Sequence, residues 1–293
     1  MEKGDWRNHK IGRGWVLGDF KYKDNSVTGL SQEGKSKLRD NKDLVIPSVV
    51  PEEGAKSIKD LKPVEIIGSY AFDQLRLESV VIPKTVKIIK EFAFDLNQLT
   101  NIVLQEGIET IEKWAFSDNH ITEIVFPKSL KNIGFMSFYE NDIKNIVIKG
   151  RFKNFKTYLN ESAYITKLSL EDEESDEEDL AQVSKVFSSI EILDLGKLKN
   201  VEKIPNEAFA NREIKEVIFP PNIKWIGFRA FRNNDLENIV IPDSVKVIEK
   251  EAFLYNPIQN LKLGKNVIKI GKDSFPRNER MEKELFRNAV ESG

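Results

Sequence analysis

A 22-residue period constrains this chain more than any other feature. Ala-Phe or Ser-Phe pairs end at Phe72, Phe94, Phe116 and Phe138, each 22 residues from the last, and again at Phe209, Phe231, Phe253 and Phe275. Two aliphatic residues precede each pair at fixed distance. In the first block they are Val64 and Ile67, Val86 and Ile89, Ile108 and Ile111, and Leu130 and Ile133. In the second they are Val201 and Ile204, Ile223 and Ile226, Val245 and Ile248, and Val267 and Ile270. A unit this short cannot bury its own apolar face, so neighbouring units have to stack.

A second pattern, aliphatic-x-x-aliphatic-x-aliphatic, lies between those units. It reads Leu77/Val80/Ile82, Leu99/Ile102/Leu104, Ile121/Ile124/Phe126, Ile143/Ile146/Ile148, Ile165/Leu168/Leu170, Ile190/Leu193/Leu195, Ile214/Val217/Phe219, Leu236/Ile239/Ile241 and Ile258/Leu261/Leu263. Its steps are all 22 residues except one of 25 and one of 24 in the middle, so the array is continuous across the irregular stretch. Alternation within the motif predicts a short strand with its outer two residues facing inward. The spacing of Val86, Ile89, Ala93 and Phe94 predicts an extended piece followed by one helical turn. Asn97, Asn119, Asn141, Asn234 and Asn256 stand two residues before a strand motif, where a side-chain amide can satisfy backbone groups of its own and the adjacent repeat. Pro83, Pro127, Pro220 and Pro242 close strands where a ladder donor is dispensable.

The expected fold is therefore an α/β repeat, mainly β: a leucine-rich-repeat solenoid of about nine to ten 22-residue repeats with N- and C-terminal caps. Residues 1–43 read as an N-terminal cap, with a hairpin from Trp15 to Leu30 and a short helix beginning at Ser31. Residues 44–275 form the repeat array, irregular at 150–200, and residues 276–293 read as a capping helix on which Met281, Leu285, Phe286 and Ala289 share a face.

Units such as Leu-Glu-Asn-Ile-Val-Ile-Pro-Asp-Ser-Val-Lys-Val-Ile-Glu-Lys-Glu-Ala-Phe at 236–253 resemble the BspA-type (treponemal-type) leucine-rich repeat, which is marked by a proline after the strand and an Ala-Phe pair. The resemblance covers roughly residues 44 to 275. The segment from Trp15 to Pro47 is also similar to the non-repeat lead-in of such bacterial proteins. It implies a bacterial cell-surface or secreted module for adhesion or for binding a protein or glycan, including a host-derived one. Two repeats between 150 and 200 depart from the pattern by lacking the Ala-Phe unit.

Composition removes most chemistry. There is no cysteine, which excludes disulfides, thiol catalysis and thiolate metal sites together. The two histidines, His9 and His120, stand in a polar leader and a repeat turn, and no Gly-rich phosphate loop occurs. The expectation is a protein with no catalytic residues, metal site or cofactor. Lys+Arg number 45 against 47 Asp+Glu, which disfavours a nucleic-acid partner held by bulk charge. Residues 171–179 hold eight of the acids in nine positions, so the rest of the chain is mildly basic, 45 against 39. That run reads as a solvated loop capping a helix that begins near Leu180, with Lys149, Arg151, Lys153 and Lys156 positioned to neutralise it.

The first fifteen residues lack the apolar stretch of a signal peptide, and no apolar run approaches the ~18 residues of a membrane span. Membrane insertion is not expected. The residues outward on each strand supply the candidate site. Val81, Val103, Val125, Val147, Ile218 and Val240 form an apolar row on the expected concave sheet face, bordered by Asn101, Glu123, Asn145, Glu216 and Asn238. Apolar surface rimmed by polar groups marks partner sites. The expected function is a monomeric binding module that recognises a protein or glycan through this face at the cell surface. An intracellular protein–protein interaction scaffold using the same face is the alternative.

Overall fold

A computed structural model describes residues 6–151 and 164–276. The chain divides into two compact units, whose described residues are 6–143 in the first and 144–151 with 164–276 in the second. Each is a stack of coils, mainly β, with two ladders of short parallel strands.

In the first unit one ladder comprises Ile66–Ile67, Ile88–Ile89, Thr110–Ile111 and Asn132–Ile133, each pair of neighbours in register at a step of one repeat. Its end is covered by an antiparallel hairpin, Phe20–Lys23 and Ser26–Leu30, of which the second strand pairs parallel with Ile66–Ile67. The first hairpin strand begins at Phe20 rather than at Trp15. Residues 17–19 instead form a single tight turn, in which the Asp19 carboxylate accepts from the Val16 N–H at 2.8 Å. The helix Gln32–Lys37 follows, its first turn closed by the Ser31 hydroxyl accepting from the Gly34 N–H. The other ladder of this unit pairs Asp43–Val45 with Ser79–Val81, and joins Asn101 to Glu123 farther on.

In the second unit Asn145–Ile148, Tyr164–Leu170, Ser189–Asp194 and Glu216–Ile218 pair in that order, all parallel. The long steps are absorbed without loss of register: Ile165 stands opposite Ile190, and Ile192 opposite Glu216. The longer step contains the helix Glu177–Val186. Asn238–Val240 pairs with Asn260–Lys262, and the second ladder runs Lys203–Ile204, Trp225–Ile226, Val247–Ile248, Lys269–Ile270. The C-terminal capping helix expected from 276 lies outside the described residues beyond Pro276.

The repeated phenylalanines form the spine of both cores. Phe72, Phe94, Phe116 and Phe138 stack with centroids 5.4, 5.1 and 5.3 Å apart, and Phe209, Phe231, Phe253 and Phe275 at 5.4, 5.4 and 5.2 Å. All eight are buried. Burying one such ring contributes about 1.5–3 kcal/mol, and stacking adds about 0.5–1.5 kcal/mol.

The segment holding each Ala-Phe pair is a series of tight turns and not the expected helical turn. Ala93 N–H donates to Lys90 C=O and Asp95 N–H to Phe92 C=O, with Phe92 and Leu96 at φ 55° and 52°. The same two left-handed positions recur one repeat apart: Tyr70 and Gln74, Trp114 and Asp118, Met136 and Glu140, then Glu207 and Asn211, Arg229 and Asn233, Glu251 and Tyr255. A turn with positive φ at its third residue normally takes Gly or Asn there. Here the packing of neighbouring coils imposes the conformation on whatever residue the sequence supplies.

Candidate partner-binding surfaces

The asparagine column shows how each surface is held in place. Asn119 Oδ1 accepts from the Leu99 N–H of the preceding coil at 3.0 Å, and its Nδ2 donates to the Phe94, Phe116 and Ser117 carbonyls at 2.9, 3.2 and 2.9 Å. Asn97, Asn141, Asn234 and Asn256 repeat that pattern on Phe72, Phe116, Phe209 and Phe231 of the coil before. These amides are structural. Each ties the start of one strand to the turn beside it, so the residues facing outward from successive strands keep a fixed spacing.

On the strand face of the first unit, Val81, Val103 and Val125 are 42, 65 and 40% exposed, and Asn101 and Glu123 beside them are also exposed. Arg13 reaches the edge of this face, donating to Ser79 Oγ at 3.2 Å and pairing with Asp43 at 3.7 Å. In the second unit Glu216, Ile218, Asn238 and Val240 are exposed, Val240 at 61%. Asn145 and Val147 are only half-buried, and the outward-facing Ser169 next to them is buried. Ser169 stands opposite Asp194, whose carboxylate Lys167 meets at 3.4 Å, so an ion pair lies alongside the residue that alternation alone places in solvent. The eleven candidates thus comprise an exposed group of five in the first unit, an exposed group of four in the second, and two half-covered residues at 145 and 147.

A second surface is absent from the strand-based reading. Two positions before the first three core Phe of the first unit stand Tyr70, Phe92 and Trp114, with Met136 in that place before Phe138, and the three rings stack: 4.9 Å and 11° between the first two, 6.1 Å and 3° between the next. Phe135 and Tyr139 meet Trp114 edge to face at 6.1 and 5.6 Å. Tyr70 and Phe135 are 55 and 48% exposed, and Leu96, at the second left-handed position of the turn that holds Phe92, is 46% exposed. The same 22-residue count that found the core column finds this one, two positions upstream.

Carboxylates border these rings. Burial, and after it the charge of Asp95, pushes the Asp73 carboxyl above its ordinary range. Asp118 is raised likewise by burial, then by Asp95 and Glu140. The Tyr139 hydroxyl is raised by its hydrogen bond to Glu140 and by that carboxylate's charge. At the equivalent positions of the second unit the aromatic rings are replaced by Glu207, Arg229 and Glu251. Arg229 Nε bonds Glu251 at 2.7 Å and its Nη1 approaches Glu207 at 3.7 Å. Arg229, with Lys250, holds the Glu251 carboxyl below its ordinary range.

The acidic run is partly folded into the second unit. Asp176 caps the helix Glu177–Val186, accepting from the Glu178 and Asp179 N–H groups at 3.0 and 3.2 Å. Arg151 bonds both Asp176 and the buried Asp179. Burial works against the charge of Asp176, but the Asp179 N–H and Arg151 hold its carboxyl below the ordinary range. Lys149 lies in the described part of the chain, whereas Lys153 and Lys156 lie outside it. Among the described residues no group of three or more His, Cys, Asp or Glu side chains is placed to hold a metal ion, and no helix is long and apolar enough to cross a membrane.

A family profile described as BspA type leucine rich repeat region matches the sequence in six copies, over residues 56–176 and 183–292. No curated protein matches it. Among solved structures, a leucine-rich repeat protein from Bacteroides ovatus is similar at 17% identity, covering 95% of this chain and 97% of that one, with a TM-score of 0.32. The pneumococcal vaccine antigen PcpA is similar at 16% identity over 92% of this chain and 93% of its own, with a TM-score of 0.33. A leucine rich cell surface protein from Faecalibacterium prausnitzii is similar at 14% identity over 87 and 95%, with a TM-score of 0.32.

Proposed function

The chain belongs to the BspA-type leucine-rich repeat family, and from that membership we propose that it is a non-enzymatic binding module of a bacterial cell-surface or secreted protein. It recognises a protein or glycan partner through its strand face. The observation that carries the reading is the row Val81, Val103 and Val125, left 40% or more exposed and bordered by Asn101 and Glu123. β-Branched residues suit strands, but a strand needs them only on its buried side. Apolar side chains kept in solvent at one-repeat intervals, with amide and carboxylate groups alongside, give a partner both contact area and orientation.

Panels of extracellular-matrix proteins and of immobilised glycans, probed with the full chain, test this proposal. A partner is expected, and Val103→Asp with Val125→Asp should weaken its binding tenfold or more, about 1.4 kcal/mol, with the far-UV spectrum unchanged. Binding that survives both substitutions assigns the site elsewhere. Surface labelling of intact cells that express the native protein tests the location, and a signal seen only after permeabilisation overturns it.

A further inference from the structure

The aromatic column of the first unit is not required by the fold, because the second unit shows the same backbone position built without it. Tyr70, Phe92 and Trp114 have φ of 56, 55 and 60°, and Glu207, Arg229 and Glu251 at the matching positions have 59, 54 and 60°. Each column stands two positions before the buried Ala-Phe stack of its own unit. One carries three stacked rings, Tyr70 exposed and Phe92 and Trp114 half-buried, whereas the other satisfies itself with ion pairs. Both units hold these positions in the left-handed region, and the first leaves Tyr70 and Phe135 about half exposed.

The charges around the column indicate what it meets. Stacked rings present their edges, not their faces, to solvent. Asp73, Asp95 and Asp118 follow the ring column along the same turns, and Glu140 joins them at the last coil. Among the described residues no lysine or arginine pairs with any of these four. Asp95 is occupied by the Ser117 hydroxyl, a neutral donor. The result is an apolar ridge with an uncompensated acidic border. A lysine or arginine side chain fits both parts at once, its aliphatic stem lying across the ring edges and its head group on a carboxylate. We infer that the ridge formed by Tyr70, Phe92, Trp114 and Phe135, with the carboxylates of Asp73, Asp118 and Glu140, is a second interaction surface, and that its partner is a polypeptide segment rich in lysine and arginine. This inference is independent of the strand-face proposal, because it uses different residues and a different partner chemistry.

The full chain is titrated with a labelled twelve-residue Lys-Gly repeat peptide at about 0.1 M salt, with a Glu-Gly peptide for comparison. The Lys-Gly peptide should bind and the Glu-Gly peptide should not. The deciding variant copies the second unit's column into the first, as Tyr70→Glu, Phe92→Arg and Trp114→Glu. This change makes the chain one charge more negative, so bulk electrostatics alone would tighten binding of the cationic peptide. The ridge requires a loss of tenfold or more, and unchanged or tighter binding overturns the inference. Should that triple variant fail to fold, Leu96→Asn, which copies Asn211 and Asn233 of the second unit, and Asp118→Asn are milder changes. Each should weaken binding at least threefold, and no effect in either overturns the inference. Replacing Glu173, Glu174, Glu177 and Glu178 with Gln must leave the affinity within twofold. A larger loss there places binding on the acidic run and overturns the assignment. Val103→Asp with Val125→Asp must not weaken it, so failure of this inference and failure of the strand-face proposal are read on separate variants.

Discussion

At the scale of single residues, the asparagine column is the strongest test of how the repeat is held together. Asn119 is buried and makes four hydrogen bonds to backbone groups on two coils. Asn119→Ala strands the Leu99 N–H and the Phe94 C=O at about 1–3 kcal/mol for each group left unsatisfied, whereas the Phe116 and Ser117 carbonyls keep Asn141 Nδ2 and the Leu96 N–H. A lowered urea midpoint with an unchanged slope is expected, amounting to several kcal/mol. Asn132→Ala, on an exposed strand position, should change stability by no more than about 0.5 kcal/mol. The column was legible in the sequence because its spacing matches that of the phenylalanines. Its direction was not: each amide serves the turn of the coil before it, which spacing alone does not encode. That direction explains two apparent gaps. Leu75 and Arg212 stand where an asparagine is due, in the first regular coil of each block, and neither has an Ala-Phe turn one repeat before it to serve.

At the scale of the element, the Ala-Phe turn carries the features the sequence concealed. Residue preferences assign its left-handed positions to Gly or Asn, whereas the chain places Phe, Trp, Arg and Glu there, so no local signal marks them. The helical turn expected from the apolar spacing fails for the same reason: neighbouring coils, not local propensity, set those angles. The acidic side of the turn gives a pH dependence whose sign follows from the structure. Asp73 and Asp118 are raised in the folded state, so they stabilise it when protonated, and that contribution is lost as pH rises through the carboxylate range. Asp73→Asn with Asp118→Asn should therefore match the parent chain in thermal midpoint near pH 3 and exceed it near pH 7. A difference that does not grow with pH refutes the assignment. Glu251 behaves oppositely, because the hydrogen bond from Arg229 lowers it. Glu251→Gln should cost stability near pH 7 and lose that effect as pH falls through the carboxylate range.

At the scale of the whole chain, the period made the fold class readable, together with the alternation of buried and exposed strand residues. The strand face was legible as a candidate because alternation has a strict period of two. Alternation does not set how far each of these residues is exposed: Asn145 and Val147 are half-buried, and Ser169 beside them is buried. Mass in solution should be 33.7 kDa if the protein is a monomer, and light scattering during size-exclusion chromatography reads this directly. Each coil touches only its neighbours within a unit, so damage should stay local. Phe94→Ala, expected to cost about 3–5 kcal/mol, should raise hydrogen exchange most in the coils holding Phe72 and Phe116. The direction of the asparagine bonds also bears on how such a chain is made. Synthesis runs from the N-terminus, and a coil acquires its closing amide only from the repeat that follows it. Each turn therefore leaves the ribosome unfinished and is completed about one repeat late, so folding trails translation by roughly the time needed to add another 22 residues.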